Sequence, residues 1–500
     1  MTLLKIKRDQ KLFLGIDFGT TYSLVTTVYK KDIVFLLDEK RRFLIPSIVH
    51  YKKNNILIGW DAEKYKIVDS INTISSVKRF IGHSIHFVRD RYPVLPYVLR
   101  KDDDGKVLFE TCAGFFTPTD VASNILVDLK KKSEVFFNKE ICASIITVPA
   151  YFSNIQRAEI KKAAISAKVN LVRLLNEPTA AAIAYGLQMY KKGIIVVYDL
   201  GGGTFDVSIL QLNKTVFQVL ATSGDTNLGG DDFDIALAQY IYKKSNLSNK
   251  CNDIFYMELL ALSKKVKIQL TKNEVVKIQF YNWVGEIHRY EFNLIIKIFI
   301  NKTLSICAQL IKETKLSLDV IKDIILVGGS TRIPFLYKEV ARFFKKTPLQ
   351  SIDPDQVVAI GAAIQVNMLM NNVLKKNQKI LLLDVCPLSL GIEVMGGFVE
   401  NIIPCNTPIP ISKTKEFTTF KDNQTVILIH VVQGENKLVK NCVSLSRFVL
   451  RNIPRQKAGI ARILVTFEID ANGLINVTAS EKYSKREETI SIENVFLSTE

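Results

Sequence analysis

Two turns of one design constrain this chain more than any other feature. Gly15-Ile16-Asp17-Phe18-Gly19-Thr20-Thr21 and Tyr198-Asp199-Leu200-Gly201-Gly202-Gly203-Thr204-Phe205-Asp206 each follow an apolar strand that ends in Asp, pass through Gly and Thr, and lead into a second apolar strand. An Asp at a strand end offers a hard oxygen to a hydrated Mg²⁺, and glycines let backbone N–H groups approach phosphate oxygens with no Cβ between them. Either turn alone reads as an ordinary hairpin, because Gly and Asp dominate turns. The matched pair predicts two facing halves that clamp one nucleoside triphosphate from opposite sides.

Length and composition set the frame for such a clamp. The 500 residues predict roughly three or four domain-sized units, and a hydrophobic content of 48% is ample for packed cores. Residues 1–10 are interrupted by Lys5, Lys7, Arg8 and Asp9 and lack the apolar stretch of a secretory signal. No run approaches the ~20 apolar residues of a membrane span, so a cytoplasmic chain without a membrane partner is expected. Seven scattered cysteines (Cys112, Cys142, Cys251, Cys307, Cys386, Cys405, Cys442) with no Cys-x-x-Cys pair predict reduced thiols and no metal centre built from them. The formal charge of +18 invites a nucleic-acid partner. The lysines, however, are spread along the whole length as pairs such as Lys30-Lys31, Lys52-Lys53 and Lys161-Lys162, without an Arg-rich stripe, and no nucleic-acid partner is expected.

Strand-like and helical patterns alternate up to about Leu374; amphipathic helices are predicted over 155–168, 302–315 and 335–346. The polar segment Lys375-Lys376-Asn377-Gln378-Lys379 precedes the apolar run Ile380-Leu381-Leu382-Leu383 and Asp384. From Val385 the predicted strands are short and broken by Pro387, Gly391, Gly396-Gly397, Pro404, Pro408, Pro410, Gly434, Gly459 and Gly473, which indicates an antiparallel β-sandwich. The expected organisation is an α/β unit over 1–379, a linker over 380–384 and a sandwich over 385–500. A short aliphatic run is most often a buried strand; between a polar helix end and a separate β-domain it reads as a docking segment, buried in one state and exposed in another.

Val148-Pro149-Ala150-Tyr151-Phe152, Asn176-Glu177-Pro178-Thr179-Ala180-Ala181-Ala182, Val327-Gly328-Gly329-Ser330-Thr331-Arg332-Ile333-Pro334 and Ile360-Gly361-Ala362-Ala363, in this order with the two turns and the linker into Pro387-Leu388-Ser389-Leu390-Gly391, make the chain resemble the seventy-kilodalton heat-shock chaperone family from about Phe13 to Ile492. The resemblance implies an actin-like (RNase H-like) two-lobed α/β ATPase domain followed by an all-β peptide-binding sandwich, with ATP and Mg²⁺ as cofactors and K⁺ as a further candidate ion. It places Gly19, Thr20, Thr21, Tyr22, Gly201, Gly202 and Gly203 around the phosphates, Asp17 and Asp199 on Mg²⁺ through water, and Lys78, Glu177, Asp206 and Thr204 at the reaction centre. Lys267, Thr271, Gly328, Gly329 and Arg332 would meet the adenosine; Lys264 stands where the family carries Glu, which puts the usual ribose contact in doubt. Peptide contacts fall on Ile392, Met395, Phe417, Phe420, Ile427 and Ile429, with Met395 and Phe420 arching over the peptide, although alternating apolar residues of this kind also read as sandwich core. Coupling falls on Pro149, Arg157, Arg173, Leu382, Leu383 and Asp384, with Asp384 pairing with Arg157 or Arg173 when the linker docks.

Within the family, Trp283-Val284-Gly285-Glu286-Ile287, Leu349-Gln350-Ser351-Ile352-Asp353-Pro354-Asp355 and Glu416-Phe417-Thr418-Thr419-Phe420-Lys421-Asp422 are similar to the branch specialised for iron-sulfur cluster assembly. That branch implies a J-domain co-chaperone, a Leu-Pro-Pro-Val peptide of an iron-sulfur scaffold protein as substrate, and a monomer. The stretch between Gln269 and Trp283 is short, which suggests little dependence on an exchange factor. Family members continue into a helical lid, whereas this sequence stops at Glu500; an absent or truncated lid is expected to speed substrate binding and release. Other readings are a general folding chaperone, a small-molecule kinase of the same fold, which has no use for the β-domain, and an actin-like filament protein.

Overall fold

The computed structural model describes residues 11–491 apart from 31, 93, 104, 190–191, 214–215, 248–252, 350, 373–380 and 485–486. The N-terminal charged stretch, Cys251, Lys375–Lys379, Ile380 and the last nine residues lie outside the described residues, and so do the expected boundaries at 379 and 380.

Two sheets repeat one plan. In the first lobe, Leu12–Phe18 lies parallel to Ile141–Val148, which is parallel to Leu171–Asn176, while on its other side it pairs antiparallel with Tyr22–Tyr29 and then Asp32–Phe35. In the second lobe, Gly193–Leu200 lies parallel to Ile321–Val327 and antiparallel to Phe205–Asn213, followed by Val216–Asp225. The central strands read Leu-Phe-Leu-Gly-Ile-Asp-Phe and Gly-Ile-Ile-Val-Val-Tyr-Asp-Leu, nearly unbroken apolar runs with most residues buried. Such runs suit strands covered on both faces by helices.

The lobes meet through two helices rich in small side chains. Glu177–Met189 packs against Val357–Asn372, and a Cβ on Gly361 would stand 1.8 Å from the Ala180 carbonyl oxygen, so only Gly allows this approach. The Ala180-Ala181-Ala182 and Gly361-Ala362-Ala363 motifs are therefore a helix crossing as much as a signature. The helices expected from periodicity appear as Asn154–Ser166, Pro334–Phe344 and the C-terminal half of Arg289–Thr314. Arg289–Thr314 is long and apolar enough to cross a membrane by length and composition, but Phe292, Ile296, Ile300, Cys307 and Leu310 pack it into the core of the second lobe.

The β-domain is a sandwich of two four-stranded sheets. One orders Phe398–Ile403, Leu390–Val394, Ile427–Gln433 and Val443–Leu450; the other orders Ile411–Phe417, Ile463–Ile469, Ile475–Glu481 and Glu487–Ser491. Period-two alternation drives it: in Ile463–Ile469 every second residue is buried, so Val465 and Phe467 enter a core shared with Leu390, Val431 and Val477.

The linker is a strand of the second lobe. Leu381–Val385 adds in parallel to the edge at Val216, Phe217 and Gln218, and Pro408–Ile409 closes its far side antiparallel. Not all the aliphatic residues share the burial expected of them: Leu382 enters the core beside Phe217 and Val219, whereas Leu381 stays 50% exposed. The pleat explains this, since alternate residues point to opposite faces. Val385, expected to open the sandwich, is likewise buried in this core, which both lobes share.

Candidate nucleotide site

A cavity of about 410 Å³ lies where both glycine turns and both central strand ends converge. Its wall brings together Asp17, Gly19, Thr20, Thr21, Tyr22, Lys78, Glu177, Asp199, Gly201, Gly202, Thr204, Lys267, Thr271, Gly328, Gly329 and Arg332, all singled out from sequence. Asp206 stands just behind the wall, and Gly203 sits in the same turn. The two turns touch: a Cβ on Gly202 would lie 2.1 Å from Thr21 Oγ1, so glycine there lets the halves close on each other.

The floor of the cavity is an acidic cluster around one lysine. Lys78 Nζ donates to Glu177 Oε1 at 2.8 Å with both side chains buried, and the ammonium also lies 5.5 Å from the Phe152 ring centroid and 5.9 Å from that of Phe18. Asp17 accepts from Thr147 Oγ1 at 3.1 Å, and Asp206 accepts from the Tyr151 N–H at 2.8 Å. Burial first, and then repulsion by Glu177, pushes the carboxyls of Asp17 and Asp206 up to about 7. Asp199 is raised well above the usual carboxylate range by burial, then by Glu177, Asp206 and Asp17. Three buried carboxyls and the half-buried Asp17 crowd one ammonium and leave negative charge short of compensation, which is the chemistry of a cation site. Among the described residues no group of three or more His, Cys, Asp or Glu side chains converges in direct-ligand geometry.

At the other end of the cavity, Lys267 Nζ is fixed by the Gly230 carbonyl and by Asp234, both at 2.8 Å. Arg332 is held by Asp353 and, at 2.7 Å, by Asp355, while Ser330 Oγ donates to the Gly201 carbonyl at 2.8 Å and ties the third loop to the second-lobe turn. Thr271 Oγ1 donates to the Ile268 carbonyl.

Sequence reading missed Arg79. It is buried, bonds Asp232 at 2.7 Å and the Gly202 carbonyl at 3.2 Å, and so bridges the lobes, while its Nε, buried beside the turns, has no hydrogen-bond partner. The signal was its position next to Lys78; the pairing with Asp231 and Asp232, some 150 residues away in sequence, was invisible.

Two of the coupling residues, Asp384 of the linker and Arg157, meet on Asn176, the residue that immediately precedes Glu177. Asp384 does not ion-pair with Arg157 or Arg173 as expected; its carboxylate accepts from Asn176 Nδ2 at 2.7 Å and Thr179 Oγ1 at 3.3 Å. Arg157 donates to Asn176 Oδ1 at 2.7 Å, to the Ala150 carbonyl at 3.1 Å and to the sandwich's Asn472 carbonyl at 3.4 Å, and Arg173 donates to the Ala471 carbonyl at 3.3 Å. Both guanidiniums are committed to backbone carbonyls, and Asn176 mediates between cation and anion. Pro149 sits buried at the start of the Pro149–Phe152 turn that supplies the Ala150 carbonyl.

In the sandwich, Ile392 and Ile429 are buried in the core, Phe417 and Ile427 pack against it, and Met395 and Phe420 stand exposed at 74% and 67%. Core packing thus accounts for Ile392 and Ile429 in this arrangement.

Comparison with known proteins places this geometry in a family. The Hsp70 protein family matches residues 13–499. A chaperone protein HscA of Buchnera aphidicola subsp. Schizaphis graminum is 62% identical over 495 residues, covering 99% of this chain and 81% of that protein. The chaperone protein HscA of Buchnera aphidicola subsp. Baizongia pistaciae is 51% identical over 488 residues, covering 97% of this chain and 95% of that protein. An HscA homolog of Mannheimia succiniciproducens is 50% identical over 491 residues, covering 98% and 79%. The chain belongs to the Hsp70 family.

Proposed function

We propose that the chain is an ATP-dependent chaperone of the Hsp70 type, specialised for iron-sulfur protein maturation, in which hydrolysis at the cavity floor is coupled to peptide binding by the sandwich. One observation carries the coupling: Asn176, which holds Asp384 of the linker and Arg157, immediately precedes Glu177, which holds Lys78. Displacing the linker strand removes a hydrogen bond one residue from the reaction centre.

Phosphoryl transfer to water asks the protein for positioning and charge neutralisation more than for covalent work. Lys78, oriented by Glu177, faces the terminal phosphate and orients the attacking water, and Asp206, fixed by the Tyr151 N–H, is poised to accept its proton. Arg79 Nε and the backbone N–H groups of the two turns supply further donors. Asp17 and Asp199 would hold a Mg²⁺ through its waters, which would supply charge neutralisation at the phosphates. Lys267 and Arg332, pre-set by Asp234, Asp353 and Asp355, border the nucleoside.

The HscA name of the relatives supports the iron-sulfur assignment, with a J-domain co-chaperone and a scaffold-protein peptide as partners. The test is ATP turnover with and without a Leu-Pro-Pro-Val scaffold peptide and an unrelated apolar peptide. Stimulation by the scaffold peptide alone is expected; equal stimulation by both would favour a general folding chaperone, and turnover without any peptide effect would remove the chaperone reading.

A further inference from the structure

A second cavity, of about 590 Å³, opens beside the nucleotide cavity between the lobes, and Thr20, Thr21, Tyr22, Asp231 and Lys264 border both. Its wall carries Lys66 from the first lobe and Lys264 from the second. Each is crowded by protein yet keeps part of its surface open. Neither ammonium has an ion-pair or hydrogen-bond partner among the described residues; Lys264 Nζ lies 5.2 Å from the Tyr22 ring centroid.

The carboxylates on the same wall are largely engaged elsewhere. Asp231 lies 3.8 Å from Arg79 and accepts from Ser76, Asp232 is held by Arg79 at 2.7 Å and Arg91 at 3.4 Å, and Asp234 by Lys267 at 2.8 Å. Glu63 and Asp90 remain, the latter exposed. Burial, then repulsion by Lys264, pulls the Lys66 ammonium below its ordinary range, and the attraction of Glu63, Asp231 and Asp234 does not restore it. Lys264, though buried, is held above its ordinary range by Tyr22, Asp231, Asp234 and Glu63. Two ammonium groups without a hydrogen-bonded or ion-paired partner among the described residues thus face one cavity, and an oxyanion within it would compensate them.

We propose that this cavity is a second anion site, in which Lys66 and Lys264 hold a phosphate-type oxyanion between the lobes and so slow nucleotide release. The effect on release rests on the nucleotide reading above; the binding of the anion does not. Two sources share the chemistry: free inorganic phosphate and a phosphate of the nucleotide itself.

The experiment uses the whole chain, its Lys66→Met and Lys264→Met variants, and Lys66→Arg as the charge-keeping control. Inorganic phosphate is titrated into nucleotide-free protein at constant ionic strength and followed by ³¹P line width. Saturable binding weakened at least fivefold by either Met substitution and retained by Lys66→Arg is expected. Dissociation of fluorescent ADP is then timed with and without phosphate; a several-fold slowing that Lys66→Met removes identifies free phosphate as the source. Dissociation of fluorescent ATP that Lys66→Met accelerates several-fold without added phosphate identifies the nucleotide's own phosphate instead. Phosphate binding equal in all four proteins, or no saturable binding together with ATP and ADP dissociation rates indifferent to Lys66, overturns the proposal. A protein that binds phosphate through Lys66 but no nucleotide keeps the anion site and loses the nucleotide reading.

Discussion

The two lobes carry the same turn in the same sheet plan, and they differ in what lies opposite the aspartate. In the first lobe Asp17 pairs across the hairpin with Leu24; in the second Asp199 pairs directly with Asp206. Residues directly opposite in an antiparallel pair point to the same face, a few ångströms apart, where like charges repel. Asp199 is raised well above the ordinary carboxylate range by burial first and then by Glu177, Asp206 and Asp17, whereas Asp17 has Thr147 to stabilise its charge. The duplication built a symmetric clamp whose need for a cation is concentrated on the second side. The outer edges differ too. The second lobe gives its sheet edge to the linker strand, whereas the first gives Asn154, Arg157 and Arg173 to the sandwich turn at Ala471-Asn472-Gly473.

The severest test of a shared reaction centre is Lys78→Ala. Lys78 comes from the first lobe, yet it is the sole ammonium among four carboxylates gathered from both. Single-turnover hydrolysis should fall by ~10²–10³ with ATP binding largely kept, as when a transition-state charge is removed. An unchanged rate would mean that the cluster is structural and the chemistry lies elsewhere.

The asymmetry itself is tested by Asp17→Asn against Asp199→Asn. Both should weaken Mg²⁺-dependent hydrolysis, by ~10- to 100-fold, with Asp199→Asn the stronger. In metal-free protein the sign should reverse for stability, since each substitution relieves buried repulsion, and Asp199→Asn, directly opposite Asp206, should raise the melting temperature more. Equal effects on both measures would break the comparison.

A smaller effect follows from pH. Asp17 and Asp206 titrate near 7 in place of 3.8, so the metal-free fold favours their protonated forms. Their contribution to stability is fully present below about 3.8 and is lost as pH rises through about 7. Melting of the metal-free protein should therefore weaken between pH 5 and pH 8 by more than in Asp206→Asn, while Mg²⁺, which competes with those protons, should bind roughly tenfold tighter across the same window. Calorimetry without and with Mg²⁺ reads both; pH-independent Mg²⁺ affinity would show that these carboxylates already bind it unprotonated at pH 5.

Much of the site was legible because its chemistry is local. Asp17 with Gly19 to Thr21, and Asp199 with Gly201 to Thr204, lie within single turns, and the family resemblance placed Lys78 and Glu177 with them. Arg79 was not legible: its partners Asp231 and Asp232 come from a helix start in the other lobe, and nothing local marks such a pairing. The linker was read as a segment but not as a strand, because a short aliphatic run does not reveal which sheet edge it will join. The expected partner of Asp384 was wrong for a related reason. The family resemblance nominated Arg157 or Arg173, but both guanidiniums bond backbone carbonyls, and the amide of Asn176, able to donate and accept at once, took the place between Asp384 and Arg157.

The smallest of these effects, and the sharpest on the outer edges, concerns the linker strand. Leu382 is 9% exposed beside Phe217, while Leu381 is 50% exposed on the opposite face. Burying one leucine contributes ~1.5–3 kcal/mol, and placing a carboxylate there without a partner costs more than that gain. Leu382→Asp should therefore release the strand from Val216, Phe217 and Gln218, withdraw Asp384 from Asn176, and abolish peptide stimulation of hydrolysis while ATP and peptide each still bind. Coupling between sites is commonly ~1–3 kcal/mol, so the basal rate should change far less than in Lys78→Ala. Leu381→Asp, on the solvent side of the same strand, should leave stimulation nearly intact. If the two substitutions behave alike, the pleat does not decide docking and the linker acts as a tether; if only Leu382→Asp uncouples, the second lobe's edge is where peptide binding is felt.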